Sequence, residues 1–462
     1  MNSTQEMKKP RVLFAVWMVG GIKTVFDNLK SSIGDRSDIE ASWLPIEMYP
    51  HDWITWIPPI LFSGAWRNSA ATWLRIRRLE RTGKRFDAAY YLEYGIIIFL
   101  RNFRRRVPYL LSLDMTPLYC ARHKLWYAVP QFNPHSPLAR LKRVIMRSVF
   151  ADAAHLLAWS HGVKESLITD YNIPEEQITV LPPGIDLRIW TMSTADREAR
   201  RTKTTPVRVL HAGWDFQRKG GDLLVDLACR EEFQDVEFHF ATGTYEGPQR
   251  NNIFVHSHIG QNSPELIALY READMFVLPT RADTYSMVCL EAMAMGLPVI
   301  ISNVGGISDI VGEGTTGYLI PPDDPHILLD RLRRLLADPL LRGRMGEEGR
   351  REVEERFDLE KSSATIVKLL NQGSPPLMTA MTSGENLTSV VIDVWTPSAV
   401  GSEVKLLTYK LTNARIVSLR PWMPNRSDAS AVNYPPAEEI AFTYQSISVL
   451  YLNGGIESTD EW

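Results

Sequence analysis

A chain of 462 residues is longer than one ordinary hydrophobic core accommodates, so two or three domains are expected. Its formal net charge of -3, with 45% hydrophobic and 23% charged residues, fits a soluble globular protein and argues against general nucleic-acid binding. Cys120, Cys229 and Cys289 are scattered without metal-ligand spacing, so they read as buried small hydrophobes in a reducing cytoplasm rather than a disulfide framework.

No apolar run reaches the length needed to cross a bilayer; residues 54–62 and 90–100 are short and broken by proline or by Glu93. Basic residues at 8–11 ahead of the apolar run 12–19 imitate a signal peptide. Gly20-Gly21-Ile22-Lys23 then stands where a small-residue cleavage site would be, and the run reads as a first buried strand. Residues 23–30 follow with helical spacing of Val25, Phe26 and Leu29. A strand that delivers Gly20 and Gly21 to a helix start is either a tight turn or a place where backbone comes close to a phosphate.

Residues 43–66 are dense in Trp, Tyr, Pro and Ile, and a basic array follows: Arg75, Arg77, Arg78, Arg81, Lys84 and Arg85, then Arg101, Arg104, Arg105 and Arg106. Such a pairing is either a seat for anionic lipid headgroups or core aromatics beside a solvated charged face. Residues 109–113 read as a buried strand ending at Asp114, which either caps the next segment or hydrogen-bonds a ligand. From 152 the pattern is strand, helix, strand, ending Pro183-Gly184-Ile185-Asp186, and residues 191–206 are polar and aperiodic, as a domain linker would be.

A second α/β run begins at 207–210 and ends His211-Ala212-Gly213; Trp214 to Gly221 and a helix through Leu223, Leu224 and Leu227 follow. Strands near 236–241, 253–256 and 275–278 and a helix from Pro264 lead to the stretch PTRADTYSMVCLEAMAMGLPVI. That stretch reads as loop, helix and a stop at Gly296. The backbone N–H groups of Tyr285, Ser286 and Met287 open the helix unpaired, and with the positive end of the helix dipole they suit a phosphate. Asp283 and Glu291 sit eight positions apart on this loop and helix.

The acidic pair, followed by Ala-Met-Ala-x-Gly-x-Pro-Val-Ile and Gly305-Gly306, resembles the donor-site signature of glycosyltransferase family 4. The resemblance covers about residues 10–371. It implies the GT-B fold, an α/β architecture of two Rossmann-like domains with the active site in the cleft between them, here 10–190 for the acceptor and 206–371 for the donor. It further implies that Glu291 holds the ribose of a nucleotide sugar and that the amides of Tyr285, Ser286 and Met287 hold its diphosphate. Asp283, where the family usually has Glu, then lies near the transferred sugar. Lys219, beyond Gly213, matches the family's phosphate-clamping lysine. The family's arginine commonly follows the strand's glycine directly, where this chain has Trp214, and Arg218 is the nearest substitute. Gly20 and Gly21 correspond to a loop facing the donor across the cleft, and Asp114 stands where the family often has His near the reacting sugar. The implied chemistry is transfer from a UDP-, GDP- or similar nucleotide sugar to a glycan, lipid or small-molecule acceptor, with retention of configuration and no bound metal or cofactor. It would take place in the cytoplasm, with possible peripheral membrane contact. A sugar hydrolase, epimerase or phosphorylase on the same fold is the alternative.

Residues 374–462 change character. A short capped helix at Ser374 and strands at 387–395, 404–411, 414–419 and 440–452 are expected. SPPLMTAMTSGENLT, LTNARIVSLRPWMPN, FTYQSIS and GGIESTDEW resemble, in that order, the C-terminal half of the haemolysin-coregulated tube protein of type VI secretion. That implies an incomplete β-barrel, with tube-like contacts as a possible partner surface, and gives a second alternative function, a type VI secretion-associated structural protein acting through this segment.

Overall fold

The structure is a computed structural model that describes residues 9–47 except 19, 35 and 37, then 64–125, 137–193, 195–197, 200, 206–371, 387–397, 403–422, 437–451 and 456–461. Most of the aromatic segment 48–63 and the expected capped helix at Ser374 lie outside the described residues.

Two six-stranded parallel sheets carry the chain to residue 371. In the first, β1 (Arg11–Met18), β2 (Glu40–Glu47), β3 (Ala88–Leu92), β4 (Tyr109–Leu113), β5 (His155–Ala158) and β6 (Ile178–Val180) lie in the order β2-β1-β3-β4-β5-β6. In the second, β7 (Val207–Ala212), β8 (Val236–Ala241), β9 (Ile253–His256), β10 (Met275–Leu278), β11 (Val299–Ser302) and β12 (Gly317–Ile320) lie in the order β12-β11-β10-β7-β8-β9. The inner strands β1, β3, β4, β10 and β11 read as nearly continuous apolar runs because they are buried on both faces. Val12, Phe14 and Val16 feed one core while Leu13 and Ala15 feed the other, as the two-residue repeat of a strand requires.

The strand orders fix where ligands can go. Connections leave β1 and β3 in opposite directions, and so do those leaving β7 and β10, which opens a crevice at the carboxyl ends of each pair. Gly20-Gly21 and Glu93 lie at the first crevice; the loops from Gly213 and from Pro279 lie at the second. The two crevices face each other. Trp159, just after β5, meets Tyr285, just after β10, edge to face at 5.8 Å, and the His161 amide donates to Asp309 at 2.6 Å. The helix Leu359–Asn371 returns to the first domain, where it packs against the helix Ile22–Ile33. The Leu359 amide donates to the Ile185 carbonyl at 3.1 Å, and an added Cβ on Gly184 would stand 2.3 Å from the Leu359 Cα.

The segment expected to be a plain polar linker is tied down. Arg200 buries its guanidinium and donates to the carbonyls of Met295, Gly296, Tyr270 and Arg271, so it caps two helix ends that expose unpaired acceptors. The basic array is likewise partly used inside the molecule. Arg104 pairs with Asp152 at 2.8 Å below the surface, Arg77 lies 4.0 Å from the Trp73 ring centre, and Arg106 pairs with Glu80. Trp43, expected in a loop, sits on β2 and stacks on Phe14 at 4.5 Å.

The tail is an antiparallel sheet of β13 (Leu387–Pro397), β14 (Glu403–Trp422), β15 (Ala437–Thr443), β16 (Ser446–Tyr451) and β17 (Ile456–Glu461). The two strands expected at 404–411 and 414–419 are one strand of 20 residues. Asn413, at φ 47, takes the kink without ending it, because Asn tolerates the left-handed region and its amide is held by Gln445 at 2.5 Å. Conversely, the single strand expected at 440–452 breaks at Tyr444-Gln445, and its two pieces, β15 and β16, pair with consecutive stretches of β14. Among the described residues the sheet is open, with β13, β15 and β17 as edges.

Candidate active site

The second crevice is built by two loops. Gly220, at φ 72, sits so close to the Pro279 carbonyl that an added Cβ would lie 2.0 Å from its oxygen, which brings the loop after β7 against the loop after β10. Gly213 leaves room for the Lys219 stem, since a Cβ there would meet Lys219 Cγ at 2.8 Å. Lys219 Nζ then reaches Asp283 Oδ2 at 2.5 Å, with both side chains about nine-tenths buried. An ion pair this enclosed is costly to leave half-made: removing one partner of a buried pair typically costs about 3–5 kcal/mol.

Arg218 does not point its charge into the same place. Its Nη1 donates to the Ala282 carbonyl at 2.7 Å and its Nε lies 3.4 Å from Asp215, so it braces the donor loop from outside. Trp214, at the position where the resemblance calls for arginine, is 67% exposed and lies over Gly243.

The helix Met287–Ala294 starts at Ser286, whose side chain makes no capping bond. Ser286 Oγ and Tyr285 Oη are buried without partners, and no bond from the amides of Tyr285, Ser286 or Met287 is present among the described residues. Glu291, a turn further on, is buried on the side of the helix that faces Tyr270, with Oε2 unpartnered. Burial pushes its carboxyl up to about 8, opposed by the nearby Tyr270 hydroxyl. The structure thus brings Lys219 and Asp283 together and records no contact between either of them and Glu291. Gly296, at φ 68, ends the helix as the sequence implied.

Across the cleft, Gly20, at φ 49, and Gly21 are exposed, and an added Cβ on either would meet nothing within 4 Å. Asp114 is buried. It does not cap the following helix, since Thr116 fills that role by accepting from the Tyr119 amide at 3.1 Å. Instead Asp114 Oδ2 accepts from Thr284 Oγ1 of the donor loop at 2.5 Å, a bond between the domains, while Oδ1 is buried without a partner. The Asp114 amide donates to Glu93 Oε1 at 3.2 Å. Burial raises both carboxyls, and the Asp114 charge pushes Glu93 further up. Sequence reasoning missed Glu93 and Thr284; the signal that marks Glu93 is its place just past β3, visible only once the strand order is known. Among the described residues no cluster of three His, Cys, Asp or Glu could hold a metal ion, and no helix is long and apolar enough to cross a membrane.

Residues 42–189 match the family model described as Glycosyltransferase Family 4, residues 193–352 that of Glycosyl transferases group 1, and residues 343–451 that of Type VI secretion system effector, Hcp. A D-inositol 3-phosphate glycosyltransferase of Paenarthrobacter aurescens is 27% identical over 257 residues, 48% of this chain and 62% of the relative. The chain therefore spans about three fifths of the curated relatives it matches. Sucrose-phosphate synthase from Thermosynechococcus elongatus superposes with TM-score 0.61 at 19% identity, over 79% of this chain and 99% of that one. The Anabaena protein HepE, solved with UDP and glucose, superposes with TM-score 0.57 at 16% identity, over 79% and 100%. These likenesses establish the GT-B arrangement of the two parallel-sheet domains.

Proposed function

We propose that this chain, whose residues 42–189 and 193–352 match the models of Glycosyltransferase Family 4 and Glycosyl transferases group 1, moves a sugar from a nucleotide-sugar donor to an acceptor hydroxyl with retention of configuration. The single observation that carries this is the Lys219–Asp283 pair, 2.5 Å apart at the switch point of the second sheet and beside an uncapped helix start. An ammonium has three donors, and one spent on Asp283 leaves two for phosphate oxygens. Positive charge held there, with the amides of Tyr285, Ser286 and Met287, stabilises the diphosphate as it leaves, which is where charge develops. The bond from the anomeric carbon to the diphosphate oxygen breaks, the acceptor oxygen bonds to that carbon on the same face, and the acceptor's proton goes to the departing phosphate. The carboxylate of Asp283 offsets positive charge on the sugar during the exchange. Glu291, buried with a free oxygen, is assigned the donor ribose, and Gly20-Gly21 the facing side of the cleft.

A thermal-shift panel of UDP, GDP and ADP and their sugars tests the reading. A ligand at a hundred times its Kd stabilises the fold by about 2.7 kcal/mol, so one nucleotide should raise the melting temperature well above the others. A flat panel would refute a nucleotide-sugar donor. The UDP seen with the Anabaena protein makes UDP the first candidate. Catalysis in the cytoplasm accords with the free thiols of Cys120, Cys229 and Cys289, and the basic helix Gly64–Arg81 is the face we assign to any anionic membrane surface. The match of residues 343–451 to the Hcp model favours a second, added reading, in which the tail makes contacts of the secretion-tube kind. Stable rings on size-exclusion chromatography would support it, and a monomer at all concentrations would not.

A further inference from the structure

The first sheet has its own switch point, between β1 and β3, and the residue that leaves β3 there is Glu93. Its backbone stands at φ 82 and ψ 134, a region that residues with a Cβ rarely adopt. Glycine would meet that conformation without strain, yet a glutamate occupies it, 2% exposed. Its amide is locked to the Ser112 carbonyl at 3.0 Å, so the side chain has one direction to go, and Oε1 meets the Asp114 amide at 3.2 Å. Asp114 in turn reaches out of the first domain to Thr284. No ion pair to Glu93 or Asp114 is present among the described residues; burial raises both carboxyls, and the neighbouring Asp114 charge raises Glu93 further.

We propose that Glu93 is a positioning residue that aims Asp114 across the cleft, so that one carboxylate oxygen latches Thr284 of the donor loop while the other stays free for a hydroxyl of the bound sugar. The sugar contact rests on the transferase reading above; the latch does not. The chain of contacts Glu93, Asp114, Thr284 joins the two switch points. Thr284 is followed by Tyr285, Ser286 and Met287, so a fixed Thr284 fixes the amides that open the helix.

Hydrogen-exchange mass spectrometry of the full chain without ligand tests the latch. Glu93→Ala should raise exchange about tenfold in peptides covering 110–117 and also, across the cleft, in those covering 280–290. Glu93→Gln should restore both to within about twofold of the parent, because its amide oxygen can still accept from the Asp114 backbone amide. Thr284→Val lies outside the first domain's core and should raise exchange at 110–117 without touching β3. A residue that only supports the first domain would change 88–117 alone. Exchange in Glu93→Ala confined to that range, a Gln variant as exposed as the Ala variant, or an unchanged 110–117 in Thr284→Val would each overturn the proposal. If Glu93→Ala does not fold, the other two variants decide it. A parallel run with 1 mM UDP reads the donor assignment separately: missing protection at 213–221 and 283–291 counts against UDP, and the ligand-free comparison still decides the latch.

Discussion

Replacing Glu291 by Gln should make the ligand-free protein more stable, and by a margin that grows with pH. In the fold the carboxyl keeps its proton up to about 8, against 4.5 when free, because burial outweighs the opposing hydrogen bond of the Tyr270 hydroxyl. Between those values the native state holds a proton that the unfolded chain has released, so stability falls as pH rises through the window and levels off above 8. At about 1.4 kcal/mol per unit, the full separation corresponds to about 5 kcal/mol at pH 8, and relaxation of the site brings the expected effect to about 2–5 kcal/mol. Near pH 4.5 both side chains are neutral and the two proteins should unfold alike. Urea unfolding of parent and variant at pH 5, 6, 7 and 8, with equal m-values, gives the gap directly. A gap that does not change with pH, or a parent more stable at pH 8, would refute the burial argument. The same substitution should weaken UDP binding about tenfold, since a hydrogen bond from ribose to a carboxylate exceeds one to an amide by about that factor. Because a ribose hydroxyl favours the ionised form, UDP affinity of the parent should rise with pH up to about 8.

Lys219→Ala should lower turnover far more than donor affinity, by about 3 kcal/mol in the barrier, since the cation matters most as the diphosphate leaves; steady-state kinetics with the donor found in the thermal panel separate kcat from KM. Gly220→Ala combines φ 72 with a Cβ 2.0 Å from the Pro279 oxygen, and should cost at least about 2 kcal/mol, read as a fall in melting temperature. A chain ending at Gln372 keeps every residue of the cleft and should turn over donor at the full-length rate while eluting as a sharper monomer, because the open edges of β13, β15 and β17 are removed. A truncated protein that is folded but inactive would place part of the active site in the tail.

The donor loop was legible because its signals are local. An apolar run, a polar loop, an Ala- and Met-rich helix and a closing Gly296 each act within a few residues, and β10 and the helix Met287–Ala294 fall where they point. Lys219 and Asp283 were also named from sequence, though not as partners, since their meeting depends on Gly220 letting two distant loops touch. Glu93 was read only as a charge interrupting an apolar run. Nothing local distinguishes a glutamate at the end of a strand from one at a switch point, which is a property of strand order. The tail was misdivided for a related reason. Thr-Asn-Ala looks like a turn, but Asn413 can adopt a left-handed conformation inside a strand that is paired on both sides of it.

The charges of the cleft explain why those missed contacts matter to a phosphate site. Glu93, Asp114, Asp283 and Glu291 would together repel a diphosphate if all were ionised, and Lys219 is already paired with one of them. Burial lessens that repulsion, since it pushes the Glu291 carboxyl up to about 8 and raises those of Glu93 and Asp114 as well. On the donor loop itself stands a Lys219–Asp283 pair of no net charge beside the positive end of a helix, with two ammonium donors still to be used. Arg218 cannot add to this while its guanidinium holds the Ala282 carbonyl. On the proposed reading, a diphosphate would draw on the helix-start amides more than on cations, and these amides follow the loop residue Thr284 that Asp114 grips.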